Sequence, residues 1–326
     1  MKIIVIGLGS MGRRRIRLLK GTFPQYEIIG VDSNEERVRN VMNEFHIACY
    51  DSIEKAKNNE KIDCAFVCTS PLSHATIIGE CLQNEWNVFT EINLIDNDYD
   101  KNVQLALDKD KLLFLSSTPI YRAEMRKIKE EIDKNGKKIS YLYHVGQYLP
   151  DWHPWENFQQ FFVGDKRTNG CREIFAIELP WMIRTFGSIE KIRVVANKLT
   201  DLPIDYRDNY LVQIEHENGT CGTFHVDVAC RQAVRHLEIY NEELYIEWNG
   251  TPETLRYKNI ETNAMELLDS TSQYHHEDGY STFVNEYAYV NEMKEFFEVL
   301  SGEKKAEYGF NEDKETLQWI DRIESI

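Results

Sequence analysis

Short apolar runs and amphipathic stretches alternate along the first 120 residues. The runs Lys2–Ile6, Glu27–Val31, 64–68, Asn87–Thr90 and 112–115 are rich in aliphatic and β-branched residues, long enough for buried strands and too short for helices. Between them the apolar positions recur at helical spacing. Ala75, Ile78 and Leu82 lie at i, i+3 and i+7, after Ser70 as a cap and Pro71 at the first helical position, where the missing N–H has no partner to lose. Strand and helix in alternation predict a parallel sheet covered by helices, a doubly wound nucleotide-binding domain over residues 1–120.

Beyond a connecting helix over about 123–132 the period changes to two. Tyr210, Val212, Ile214 and His216 alternate toward Asn218-Gly219, and Thr223, His225 and Asp227 continue the alternation past it. Asn-Gly between alternating runs predicts a hairpin. Segments 236–240 and 244–248 read as a second antiparallel pair, so residues 121–326 are expected to form an α+β domain with a mostly antiparallel sheet. Two helices close the chain, with room to pack back on the first domain. Phe283, Tyr287, Val290, Phe297 and Leu300 make one apolar stripe, and Asn311 stands as the cap ahead of Leu317, Ile320 and Ile323.

Length agrees with two domains, since 326 residues exceed the ~250–300 at which a single core stops growing. The 54 acidic against 38 basic side chains give a net charge of −16, a field that repels phosphate backbones and anionic lipid. Neither a nucleic-acid nor a membrane partner is expected; a small molecule is. Seven cysteines, an odd number in apolar surroundings, suit reduced thiols. Gly7, Gly9 and Gly12 interrupt the first apolar run and four arginines follow, so no signal peptide is expected. No run approaches the ~20 apolar residues of a membrane span, and the chain reads as cytoplasmic.

The first chemistry lies at Gly7-Leu8-Gly9-Ser10-Met11-Gly12. Glycines in this G-x-G-x-x-G spacing are common in turns, but here they follow a strand and open a helix. Gly7 permits the turn, Gly9 leaves room for a pyrophosphate, Gly12 lets helix and strand approach, and the helix N-terminus at Ser10 and Met11 offers unpaired N–H groups. The buried face of that helix is expected to be Gly12, Ile16 and Leu19, with Arg13 to Arg15 on a solvated face. Asp32 follows Gly12 by about 20 residues, where its carboxylate can accept the ribose hydroxyls. A 2′-phosphate would meet that charge without an arginine in Asp32-Ser33-Asn34, so NAD is preferred over NADP.

At Val67-Cys68-Thr69-Ser70-Pro71, His74 and Asn87-Val88-Phe89-Thr90-Glu91 the chain resembles the Gfo/Idh/MocA family of NAD(P)-dependent sugar and cyclitol oxidoreductases. The resemblance runs through both domains. It implies that Thr69 and Pro71 line the cofactor, that His74 supports their turn, and that Glu91 belongs to the same site. The segment Gly146-Gln147-Tyr148-Leu149-Pro150-Asp151-Trp152-His153-Pro154-Trp155-Glu156 resembles a branch associated with sialic-acid-like and surface-polysaccharide sugars. Tyr121, Tyr148, Trp152 and Trp155 are then candidate contacts to a carbohydrate substrate. The family also implies a homodimer or homotetramer, formed through the open face of the antiparallel sheet.

The resemblance breaks at the acid/base positions. The family carries Glu-Lys-Pro where this chain has Glu91-Ile92-Asn93, and isoleucine carries no proton. On the helix that supplies the family's catalytic histidine, Gly170-Cys171-Arg172-Glu173-Ile174-Phe175-Ala176-Ile177-Glu178-Leu179-Pro180 places Ile177 at that histidine; a register one residue along places Glu178 there instead. Glu178 and His153 are the candidate acid/base groups, Tyr148 and Tyr121 candidate relays, and Arg172 with Glu173 a structural ion pair. His275-His276-Glu277-Asp278 lacks the spacing of a zinc site, and no metal is expected. Two functions fit. One is an NAD-dependent oxidoreductase of sugars, sugar acids or nucleotide sugars with an altered acid/base set; the other is an NAD-binding subunit without turnover.

Overall fold

A computed structural model describes residues 1–152, 157–271, 275–277 and 283–325. They form two compact units, Met1–Ser116 with Met293–Lys314 and Ser117–Glu292 with Glu315–Ile326.

The first unit alternates β1 (Lys2–Ile6), α1 (Ser10–Thr22), β2 (Glu27–Val31), α2 (Glu35–Phe45), β3 (Cys49–Tyr50), α3 (Ile53–Asn59), β4 (Cys64–Val67), α4 (Pro71–Gln83), β5 (Asn87–Thr90), α5 (Tyr99–Asp108) and β6 (Leu113–Leu115). The strands pair in parallel in the order β3-β2-β1-β4-β5-β6. Strand order therefore reverses between β1 and β4, and a crevice opens at their carboxyl ends. Ile3 to Ile6 are buried without alternation, as a strand covered on both faces must be. Local signals start the helices. Asn34 accepts the N–H groups of Glu36 and Arg37, Ser52 that of Lys55, and Pro71 opens α4.

Phe66, Phe89 and Phe114 sit side by side across β4, β5 and β6, with ring centroids 4.6 and 5.5 Å apart. Phe296 meets each ring edge-on at 5.4 to 5.6 Å and seals that face of the sheet. It belongs to the helix Glu286–Leu300, whose buried side is Ala288, Met293 and Phe296 rather than the expected stripe. Tyr287 is exposed, and Phe283 precedes the helix. The reason is chemical: Glu292 and Glu295 are themselves buried, so apolar spacing misjudges the inward face. The last helix, Phe310–Glu324, already contains Asn311, which is not its cap.

The second unit contains α6 (Ala123–Asn135), β7 (Ser140–Gly146), α7 (Gly170–Phe186), β8 (Ile189–Asn197), β9 (Asn209–His216), β10 (Cys221–Asp227), β11 (Val234–Tyr240), β12 (Tyr245–Trp248), β13 (Arg256–Lys258) and β14 (Met265–Leu267). Its sheet runs β14-β13-β12-β11-β7-β10-β9-β8. Among the described residues every pairing in this sheet is antiparallel except β7 with β10. Gly219, at φ +83°, makes the turn between β9 and β10. One sheet face carries Tyr141, Tyr143, Val212, Phe224 and Leu237 beneath α7, where Phe186 stacks on Tyr141 at 4.2 Å and Phe175 meets Phe224 at 5.5 Å. The other face shows solvent Leu142, Val195, Leu211 and Tyr240. Among the described residues no helix is long and apolar enough to cross a membrane, and all seven cysteines are free.

Candidate dinucleotide and active site

The glycine loop begins where β1 ends. Gly7 has φ +92°, and a Cβ there would lie 2.7 Å from the Cys68 carbonyl oxygen at the end of β4. A Cβ on Gly12 would lie 1.8 Å from the Gly7 oxygen, so α1 rests directly on the turn. Gly9 is different. Only an Arg37 nitrogen 3.8 Å away approaches its would-be Cβ, which leaves the space before the loop open. Gly9 caps α1 without a side-chain bond, and the first N–H groups from Ser10 and Met11 onward remain available to an anion.

Asp32 closes the loop from the second strand. Its Oδ2 accepts the Leu8 N–H at 2.7 Å and its Oδ1 the Asn34 N–H at 2.8 Å, which leaves lone pairs on both oxygens for ribose hydroxyls. Arg37 Nη1 stands 3.8 Å from Oδ2, a cation that the Asp32-Ser33-Asn34 segment does not reveal. Backbone clearance, helix N-terminus and carboxylate together fit a dinucleotide. The arginines differ from expectation. Arg13 is solvent-exposed, but Arg14 and Arg15 are buried. Arg15, with no exposed surface, donates to Glu91 Oε1 at 2.6 Å and Oε2 at 3.1 Å and lies 4.6 Å over the Phe89 ring. Glu91 is thereby committed to the interior, since a buried arginine requires a carboxylate.

Thr69, Pro71 and His74 follow β4. His74 is buried, and that burial holds its pKa below the ordinary range, so the ring is neutral. One nitrogen lies 2.9 Å from the Thr69 carbonyl oxygen, which requires Nε2–H, and the other lies 2.8 Å from the Asn93 side-chain amide. A neutral ring then needs a donor at Nδ1, which the Asn93 NH₂ group supplies when the amide faces it with nitrogen. The Thr-x-Pro turn is thus pinned through His74 to Asn93, where the resembled family has proline.

On α7 the neighbours separate. Arg172 pairs with Asp321 at 2.7 Å and Glu324 at 2.5 Å, not with Glu173. The expected Arg172–Glu173 pair is absent because the terminal helix brings two other carboxylates. Glu173 keeps partial exposure, yet its Oε2 is buried without a hydrogen-bond partner among the described residues, and desolvation pushes its pKa up to about 8. Glu178 has the opposite environment. At 1 % exposure it accepts from Tyr143 Oη at 2.8 Å and Trp181 Nε1 at 2.6 Å and pairs with Arg235 Nη2 at 2.6 Å. Such a carboxylate is committed to its partners. Ile92 and Ile177 are both half-buried. Glu173 lies one turn before Ile177, on the same helix face, and the reading as an ion pair had concealed it.

The aromatic segment is described as far as residue 152; His153, Trp155 and Glu156 lie outside the described residues. Trp152 donates its indole N–H to the Gln147 carbonyl at 3.0 Å, so part of its role is to fold the loop on itself. Its ring reaches Gly170, where a Cβ would lie 3.4 Å away, and so sets the loop against the start of α7. Tyr148 is half-buried with the Arg231 guanidinium 3.9 Å from its ring centroid. Tyr121 is buried at 2 % exposure.

Residues 1–115 match the Gfo/Idh/MocA family model, described as an oxidoreductase family with an NAD-binding Rossmann fold. No curated protein sequence matches the chain. Among solved structures, the fold resembles an Agrobacterium radiobacter oxidoreductase in complex with NAD+, L-tartaric acid and magnesium, at 13 % identity, 98 % and 94 % coverage of this chain and that one, and a TM-score of 0.78. It also resembles the WlbA dehydrogenase of Bordetella pertussis in complex with NADH and UDP-GlcNAcA, at 14 % identity, 99 % and 94 % coverage and a TM-score of 0.78. A third is UDP-N-acetylglucosamine 3-dehydrogenase GnnA from Acidithiobacillus ferrooxidans, at 14 % identity, 99 % and 96 % coverage and a TM-score of 0.73.

Proposed function

From the match of residues 1–115 to the Gfo/Idh/MocA NAD-binding Rossmann family model, we propose that the chain is an NAD-dependent oxidoreductase of a sugar, sugar acid or nucleotide sugar, with Glu173 as its acid/base group. One observation carries the second half of this reading. The positions that should hold lysine and histidine are Ile92 and Ile177 (or Glu178 in the register one residue along), while one turn before Ile177 stands Glu173, whose Oε2 is buried without a hydrogen-bond partner among the described residues and whose carboxyl burial raises to about 8. A group with that proton affinity can take a hydroxyl proton and return it near neutral pH. When bound, NAD+ supplies the hydride acceptor. In such an oxidation Glu173 would take the proton of the substrate hydroxyl.

The remaining polar groups take supporting roles. Glu178, bonded three ways, positions Tyr143, Trp181 and Arg235. Trp152, beside the start of α7, and Tyr148 supply aromatic surface for a sugar, and the nucleotide-sugar ligand named for the WlbA dehydrogenase supports that substrate class. Asp32 favours NAD over NADP, with discrimination tempered by Arg37 at 3.8 Å. The exposed apolar side chains on the outer sheet face support self-association to a dimer or tetramer, which a solution mass measurement reads directly.

The test is calorimetric NAD+ binding followed by nicotinamide absorbance with a panel of UDP-sugars and sugar acids. Turnover that collapses in Glu173→Gln, with NAD+ affinity retained, is expected. Binding of NAD+ with no turnover on any member favours the non-catalytic subunit, and failure to bind any dinucleotide overturns both readings.

A further inference from the structure

The parallel pairing of β7 with β10 has a chemical consequence on the outer face of the second unit's sheet. It sets His225 directly opposite His144, and the two imidazoles stack at 4.0 Å with their planes within 8°. Asp227, two residues beyond His225, shares that face. Its Oδ2 lies 2.7 Å from His144 Nε2 and 3.7 Å from His225 Nε2. One ligand atom from each of the three residues falls within 4.8 Å of the others.

Two features beyond proximity show that the carboxylate is held for this position. Asp227 Oδ1 accepts the N–H groups of Ala229 at 2.9 Å and Cys230 at 2.6 Å, which fixes the group and leaves Oδ2 forward. Gly146, opposite Asp227 on β7, provides the space, because a Cβ there would lie 2.3 Å from Oδ2. Asn209 Oδ1 lies 2.7 Å from the same His225 Nε2 and must release that nitrogen for a metal, and His236, opposite His144 on β11, is engaged by Asn249 and Glu238.

We propose that His144, His225 and Asp227 bind one divalent transition-metal ion of the zinc class, with water completing its coordination. Bonds of about 2.0–2.1 Å in a tetrahedron place donors ~3.3 Å apart, between the two carboxylate–imidazole distances in the structure. A small opening of the His144 contact and a turn of the rings out of their stack then suffice.

The test uses the full chain without dinucleotide, titrated with Zn²⁺ and, for spectroscopy, with Co²⁺. One equivalent of Zn²⁺ with a rise in melting temperature is expected, together with visible Co²⁺ bands of four-coordinate intensity. His144→Gln and His225→Gln, both at half-exposed positions, should weaken binding at least ~10-fold, since even outer-shell changes cost that much. Gly146→Ala should weaken it without removing a donor, and His236→Gln should leave it intact. Absence of binding by the folded wild-type chain, or affinity unchanged in both His144→Gln and His225→Gln, overturns the proposal.

Discussion

Replacing Glu173 by glutamine keeps the side chain's shape and removes its titration. Burial raises this carboxyl from 4.5 to about 8. In the unfolded chain it ionises near 4.5, so protons are held more tightly by the folded state throughout the interval between the two values. Stability from this group is therefore complete below pH 4.5 and is lost as pH rises toward 8, at about 1.4 kcal/mol per pH unit. The full interval amounts to roughly 3–5 kcal/mol, the lower figure allowing for solvent that reaches the partly exposed side chain. Urea unfolding of wild type and Glu173→Gln at pH 5, 6, 7 and 8 isolates this contribution, because other titrations cancel in the difference. Wild type should lose stability relative to the variant steadily across that range and level off above it. The same group should give kcat/KM an inflection near pH 8, and the variant should lose about 10²–10⁴ in kcat. Parallel stability curves would refute the reasoning, since they would mean that Glu173 ionises normally and has found water or a cation.

Asp32→Ser should weaken NAD+ binding by about 1.5–3 kcal/mol, the value of hydrogen bonds to a charged group, and narrow the NAD/NADP ratio; calorimetry with both cofactors checks this, and an unchanged ratio counts against Asp32 as the selector. Arg15→Met should cost about 3–5 kcal/mol in urea unfolding by leaving Glu91 buried and unpaired, and Glu91→Gln in the same background should restore part of the loss. Phe296→Ala should cost about 3–5 kcal/mol by opening a cavity beside Phe66, Phe89 and Phe114. A loss below about 1 kcal/mol would mean that the ring cluster does not hold that helix in place.

Local patterns carried far in the first unit. Parallel strands buried on both faces leave unbroken aliphatic runs such as Ile3 to Ile6, and the dinucleotide turn needs glycine for steric reasons that act within six residues. The carboxylate of Asp32 is legible because one strand and one helix separate it from Gly12. The antiparallel hairpin through Asn218-Gly219 was equally plain, for its turn demands the left-handed backbone found at Gly219. Charged side chains were the weak point. Arg15 reads as one of a solvated set, yet it is buried, because its partner Glu91 arrives from the end of another strand. Arg172 reads as the neighbour of Glu173, yet the terminal helix supplies Asp321 and Glu324 instead.

The sequence by itself thus determined the elements whose causes are local: periodicity, glycine geometry, caps and turns. Tertiary structure alone decided which ionisable groups are satisfied and which are not, because burial and pairing depend on segments far apart in the chain. Glu173 and Glu178 lie five positions apart, yet one carboxylate meets Tyr143, Trp181 and Arg235 while the Oε2 of the other is buried without a hydrogen-bond partner among the described residues. His144 and His225 became neighbours only through a parallel strand pair, whose register no alternation of polar and apolar residues encodes.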